Sequence, residues 1–87
     1  MKIQDSVVVV TGANRGLGAA LVKTLVELGA KRVYAGARDP AAVGGSDRVV
    51  PLALDVTSTA SIDAATAKAK DATILINNAG VLASFGV

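Results

Sequence analysis

The hydrophobic pattern changes period along the chain, and each change marks an element. Ser6-Val7-Val8-Val9-Val10 is apolar and β-branched without a break after its serine, the pattern of a strand buried on both faces. A glycine-rich stretch follows, Thr11-Gly12-Ala13-Asn14-Arg15-Gly16-Leu17-Gly18. From Leu17 to Leu28 the period becomes helical: Leu17, Leu21, Leu25 and Leu28 line one face with Val22 and Val26 beside them, while Lys23 and Glu27 lie elsewhere on the circumference. Gly29 supplies a stop signal. Arg32 to Ala37 reads as a second strand, and the turn-rich residues Asp39 to Asp47 leave room for about one helical turn. The third strand, Arg48 to Asp55, carries Pro51, which cannot donate to a ladder and so belongs on a sheet edge. Ser58 to Lys70 is an alanine-rich helix with a Ser/Thr start and a lysine-bearing end. Thr73-Ile74-Leu75-Ile76 forms the last strand and runs into Asn77-Asn78-Ala79-Gly80.

The resulting order, β-α-β-turn-β-α-β, predicts the α/β class. Right-handed crossovers give a Rossmann-like, doubly wound parallel sheet in the order third, second, first, fourth, with helices on both faces. Residues 1–87 read as a single amino-terminal portion of such a domain. The Pro51 argument, made from chemistry alone, places the third strand at the same edge. The fourth strand becomes the other edge, and its apolar residues around Ile74 and Ile76 predict a homo-oligomer formed through that edge or through the Val81 to Val87 tail.

Composition narrows the chemistry. Hydrophobic residues make up 52% of the chain and aromatic ones 2%, Tyr34 and Phe85, so the core is aliphatic. Cysteine and histidine are both absent, which removes disulfides, the usual zinc ligands and every Ser-His or Cys-His nucleophile pair. The net charge of +2 is spread without a basic block, and with no aromatic stacking platform the chain is not read as binding nucleic acid. No apolar run approaches the ~18 residues of a membrane span, and no secretory signal is evident; the expected location is cytoplasmic.

The glycine spacing, Gly12-x-x-x-Gly16-x-Gly18, lies between a buried strand and an amphipathic helix, the context in which such a loop cradles phosphate. Gly12 permits a tight exit from the strand, Gly16 lets the backbone approach a pyrophosphate, and Gly18 lets the helix pack on the sheet. Unpaired amides at the helix start, with the positive end of its dipole, face the anion.

This loop, Asp55 after the third strand and Asn77-Asn78-Ala79-Gly80 after the fourth together resemble the amino-terminal half of a short-chain dehydrogenase/reductase. The resemblance implies that the backbone around Gly12, Asn14, Arg15, Gly16, Leu17 and Gly18 holds the pyrophosphate and adenosine ribose of a nicotinamide dinucleotide. It implies that Asp55 accepts from the adenine amino group with Val56 beside the ring, and that Asn77, Ala79 and Gly80 line the nicotinamide side, with Asn78 tying strands together. A purely structural role stands beside each: Asp55 before Val56-Thr57-Ser58 suits a turn cap, and Asn77 and Asn78 suit buried amides that satisfy backbone.

An acidic residue at the end of the second strand binds the ribose 2'-hydroxyl of NAD, whereas arginine accommodates the 2'-phosphate of NADP. Here Ala37 takes the acidic position, followed by Arg38 and Asp39. Arg38, with Arg15 as a second guanidinium, favours NADP; Asp39 keeps NAD as the alternative. The family's reaction uses a serine and a Tyr-x-x-x-Lys element. The only tyrosine, Tyr34, lies in a strand with Arg38 at the fourth position after it, and arginine cannot be tuned as lysine can. Tyr34 therefore reads as a packing residue, Ser84 as a loop serine, and no residue is assigned proton transfer. The expected function is the NADP(H)-binding half of an oxidoreductase. An autonomous nucleotide-binding module and a self-associating structural fragment are the alternatives.

Overall fold

The computed structural model describes residues 2–14 and 16–78. Along the chain it contains β1 (Val7–Val10), α1 (Gly16–Glu27), β2 (Arg32–Ala37), a 3-10 turn at Pro40–Ala42, β3 (Val49–Ala53), α2 (Thr59–Lys68) and β4 (Ile74–Ile76). The strands form one parallel sheet in the order β3-β2-β1-β4, the order expected from crossover handedness. Val8 pairs with Val33 on one side and Ile74 on the other, which makes the first strand of the sequence central in space. Pro51 sits on β3, an edge strand, as its missing amide requires.

The valine run of β1 serves two cores at once. Val8 and Val10 point to the α1 face and pack with Val22, Leu25, Val33 and Ala35. Val7 points the other way, joining Tyr34, Leu52, Leu54, Ala65 and Ala69 beneath α2. Alternation along a strand combined with helices on both faces explains why no polar residue interrupts the run.

Two leucines depart from the helical stripe. Leu25 is buried, but Leu17 and Leu28 are 67% and 55% exposed. Helix α1, at twelve residues, is roughly 18 Å long, whereas the four residues of β1 span only about 13 Å. Leu17 in the first turn and Leu28 beyond the last therefore overhang the sheet. β2 has the bounds its sequence predicts, whereas β1, β3 and β4 are one to three residues shorter than the runs that mark them, and β3 stops at Ala53 rather than Asp55. The ladder direction persists beyond the strand, since the Leu54 amide still donates to the Ala37 carbonyl at 2.9 Å.

At the amino-terminal edge of the sheet, Asp71 in the α2–β4 loop joins β2 through both carboxylate oxygens. Oδ1 accepts from the Tyr34 hydroxyl at 2.8 Å, and Oδ2 accepts from Arg32 Nη1 at 2.6 Å. Tyr34 is thus buried in the core beneath α2 with its hydroxyl bonded to Asp71. Its hydrogen bond, more than the Arg32 charge, holds the Asp71 carboxyl below the ordinary carboxylate range. A depressed folded-state pKa gives stability that is present above the unfolded value, near 4, and lost as pH falls through the folded value. Asp71→Asn is therefore expected to lower Tm at neutral pH, with the gap to wild type closing below about pH 4. Thermal melts of the two proteins across that range check this, and a gap that stays constant into acid would overturn it.

Candidate functional site

The carboxyl ends of the strands share one edge of the sheet, and the site residues gather there because the sheet is parallel. After β1 the chain turns at Gly12, whose φ of +64° suits glycine. The Ala13 amide then donates to the Gly36 carbonyl at 2.9 Å, which pins the loop across the end of β2. Thr11 is 3% exposed, and its hydroxyl donates to Asn77 Oδ1 at 3.0 Å. Asn78 Nδ2 donates to the Gly12 carbonyl at 3.3 Å. The two asparagines after β4 thus tie that strand to the glycine loop, the structural role expected of Asn78 and one that Asn77 shares.

Gly18 lies at the heart of this junction. A Cβ built on it would stand 2.0 Å from the Gly12 carbonyl oxygen and 2.8 Å from Asn78 Nδ2. Gly16 is different: among the described residues, nothing lies within 4 Å of the position its Cβ would take. Asn14, Gly16 and Leu17 are exposed, and the first turn of α1 carries no acidic side chain. A helix start with open space at Gly16 and no acidic side chain in its first turn fits an anionic group such as a pyrophosphate.

At the end of β2, Ala37 is buried and Arg38 and Asp39 are exposed. Asp39 caps the 3-10 turn: its Oδ1 accepts from the Ala41 amide at 3.0 Å. After β3, Asp55 Oδ1 accepts from both the amide and the hydroxyl of Thr57, at 2.9 and 2.6 Å. These two bonds, with the Thr57 hydroxyl foremost and the Arg38 charge a lesser cause, hold the Asp55 carboxyl below its ordinary value. Arg38 and Asp55 therefore share one corner of the edge, with Val56 exposed beside them. Arg15, Ala79 and Gly80 lie outside the described residues.

The turn-cap role of Asp55 is thus present, on one oxygen. Thr57 acts as the turn signal of Asp followed by Val-Thr-Ser implies, whereas Ser61, which accepts from the Asp55 amide, carries no such local mark. Thr11 was missed as a partner of Asn77, because nothing local marks a contact spanning 66 positions. Beyond Thr11 and Asn77, an apolar groove of about 470 Å³ runs between α2 and the sheet, walled by Val9, Leu52, Leu54, Ile62 and Leu75.

A parallel α/β sheet whose central strand leads through a glycine turn into a helix defines a dinucleotide-binding class of protein. The chain belongs to the short chain dehydrogenase family, whose model matches residues 6–86. It is 44% identical over 69 residues to an acetoacetyl-CoA reductase from Synechocystis, an alignment covering 79% of this chain and 28% of that protein. Its structure is similar to a short chain dehydrogenase from Burkholderia cenocepacia in complex with NADP, with TM-score 0.86 and 47% identity over 90% of this chain and 33% of the other. A 3-ketoacyl-(acyl-carrier-protein) reductase from Brucella melitensis complexed with NADH matches with TM-score 0.67 and 30% identity over 84% of this chain and 34% of the other. The chain spans about a third or less of the length of these proteins.

Proposed function

We propose that residues 1–87 are the NADP(H)-binding part of an oxidoreductase that moves hydride between the cofactor and a carbonyl or alcohol, with its catalytic serine, tyrosine and lysine supplied from outside these residues. The observation that carries this is the open space at the Gly16 Cβ position among the described residues, at the start of α1 and beside the locked turn through Gly12 and Gly18. The backbone around Gly12, Asn14, Arg15, Gly16, Leu17 and Gly18 would hold pyrophosphate and the adjoining ribose. Arg38, with Arg15, would take the 2'-phosphate, Asp55 and Val56 the adenine, and Asn77, Ala79 and Gly80 the nicotinamide half. The bound nicotinamide supplies or accepts the hydride; these residues orient it.

NADP is preferred to NAD because the exposed carboxylate that could serve NAD, Asp39, is already bonded to the Ala41 amide, while Arg38 is exposed and stands outside the Arg32–Asp71 ion pair. The relative from Burkholderia was crystallised with NADP and that from Brucella with NADH, so solution binding decides between them. The chain contains no tryptophan, and NADPH fluorescence reports directly. NADPH is expected to bind more tightly than NADH, and binding of neither would refute the function.

A second observation favours self-association. The outer edge of β4 has no partner strand among the described residues, and Leu75, which faces the groove on the α2 side of that strand, is 65% exposed. We infer that a second copy covers this edge. Sedimentation at micromolar concentration is expected to show an oligomer that Leu75→Lys shifts toward monomer; a stable wild-type monomer would refute this. Among the described residues no helix is long and apolar enough to cross a membrane, and a cytoplasmic location is part of the same proposal.

A further inference from the structure

The turn that leaves β3 fixes a carboxylate at both of its attachments. The Asp55 amide donates to the Ser61 hydroxyl at 2.8 Å, and the Ser61 amide donates to Ser58 Oγ at 3.2 Å, so the Asp55 backbone is anchored to the first turn of α2. The side chain is anchored separately, because the two Thr57 donors both converge on Oδ1. A carboxylate oxygen accepting two bonds from one neighbour cannot rotate freely about χ2. Both bonds go to Oδ1, and none of the hydrogen bonds among the described residues uses the other oxygen, Oδ2. Val56 next to it is 39% exposed, an apolar surface of the type on which a flat base rests.

We propose that Thr57 is a positioning residue that makes this corner selective for adenine: by tethering Oδ1 it aims Oδ2 at the exocyclic amino group and disfavours a base with a carbonyl oxygen there, such as hypoxanthine. This rests on the reading of Asp55 as the adenine contact. An ionised carboxylate only accepts hydrogen bonds, so it rewards the amino group of adenine and opposes the 6-oxo oxygen of hypoxanthine. A site built around one donor–acceptor pair rejects the analogue that leaves its acceptor unmatched. One charge-assisted bond at a partly exposed site supports a preference of about tenfold.

The test uses the whole chain and reads binding rather than turnover. NADPH and its deaminated analogue, with hypoxanthine replacing adenine, are titrated by nicotinamide fluorescence against wild type, Thr57→Ser, Thr57→Val and Asp55→Asn. Wild type is expected to prefer NADPH by about tenfold. Thr57→Ser, which keeps the hydroxyl, should retain that ratio, and Thr57→Val should reduce it to about twofold or less. The ratio of two ligands on one protein is insensitive to a general loss of fold, and Thr57→Ala provides a smaller replacement if valine perturbs the start of α2. If Asp55→Asn abolishes the preference while Thr57→Val leaves it intact, the role of Thr57 is overturned and the base contact stands. If wild type binds NADPH but shows no preference, the assignment of Asp55 fails and the function stands; if it binds neither ligand, the proposed function fails and this inference with it.

Discussion

Gly18→Ala is expected to destabilise the fold by about 3 kcal/mol or more, at the upper end of what one added methyl does in a packed interior. The methyl would meet the Gly12 carbonyl oxygen at 2.0 Å and its carbon at 2.8 Å. Both are backbone atoms, so no rotamer change relieves the clash. Relief requires α1 to lift from β1 or the Gly12 turn to give way, and because the same methyl stands 2.8 Å from Asn78 Nδ2 it also crowds the Asn78 bond to Gly12. Against a typical total stability of about 5 to 15 kcal/mol, such a loss is a large fraction. Gly16→Ala, two positions earlier, should behave in the opposite way. Open space surrounds it among the described residues, and alanine in a helix gains up to about 1 kcal/mol over glycine. The methyl would occupy the cradle, so NADPH affinity should drop about tenfold or more while the protein remains as stable as wild type. Urea denaturation with cofactor titration on both variants separates these roles. A Gly18→Ala protein with the wild-type midpoint, or a Gly16→Ala protein with wild-type affinity, would contradict them.

Arg38→Ala should separate the two cofactors. The guanidinium is exposed at the end of β2 and can offer two parallel donors to a phosphate, a stronger arrangement than a single point charge gives. Bonds to charged groups contribute about 1.5 to 3 kcal/mol, so NADPH affinity should fall roughly 10- to 100-fold. NADH, which lacks the phosphate, should bind Arg38→Ala about as well as wild type. Arg38→Lys should fall between, since an ammonium keeps the charge but not the fork. The neighbours support this division: Ala37 is buried and carries no acceptor, and Asp39 is held by the 3-10 turn. Equal weakening of both cofactors, or of neither, would show that Arg38 does not read the phosphate.

How much of this was legible in the sequence depended on the range of the interaction. The uninterrupted valines of β1 announced a strand buried on both faces, and Pro51 announced an edge, because each is a local chemical requirement. The glycine spacing was local too, and the structure divides it into a backbone turn at Gly12, a packing contact at Gly18 and an open position at Gly16. Leu17 and Leu28 misled because helical period says which face an apolar residue is on but not whether the sheet extends beneath it. The Tyr34–Asp71 bond spans 37 positions and the Thr11–Asn77 bond 66. Such pairs are set by strand order and register rather than by neighbouring residues, and a lone Asp71 or Thr11 carries no sign of its partner.

The central position of β1 also sets an order of events during synthesis. Of the four strands this one is made first, yet its ladder with β4 forms only after residues 74–76 have been made. The Thr11 and Gly12 contacts wait for Asn77 and Asn78. Closing so long a loop carries an entropic cost and slows folding relative to local pairing. On the ribosome, the glycine turn is therefore among the earliest parts of the site to be translated and among the last to be locked. Until then one side of the valine strand lacks its partner, a period in which a chaperone or a neighbouring nascent chain has its best opportunity to bind.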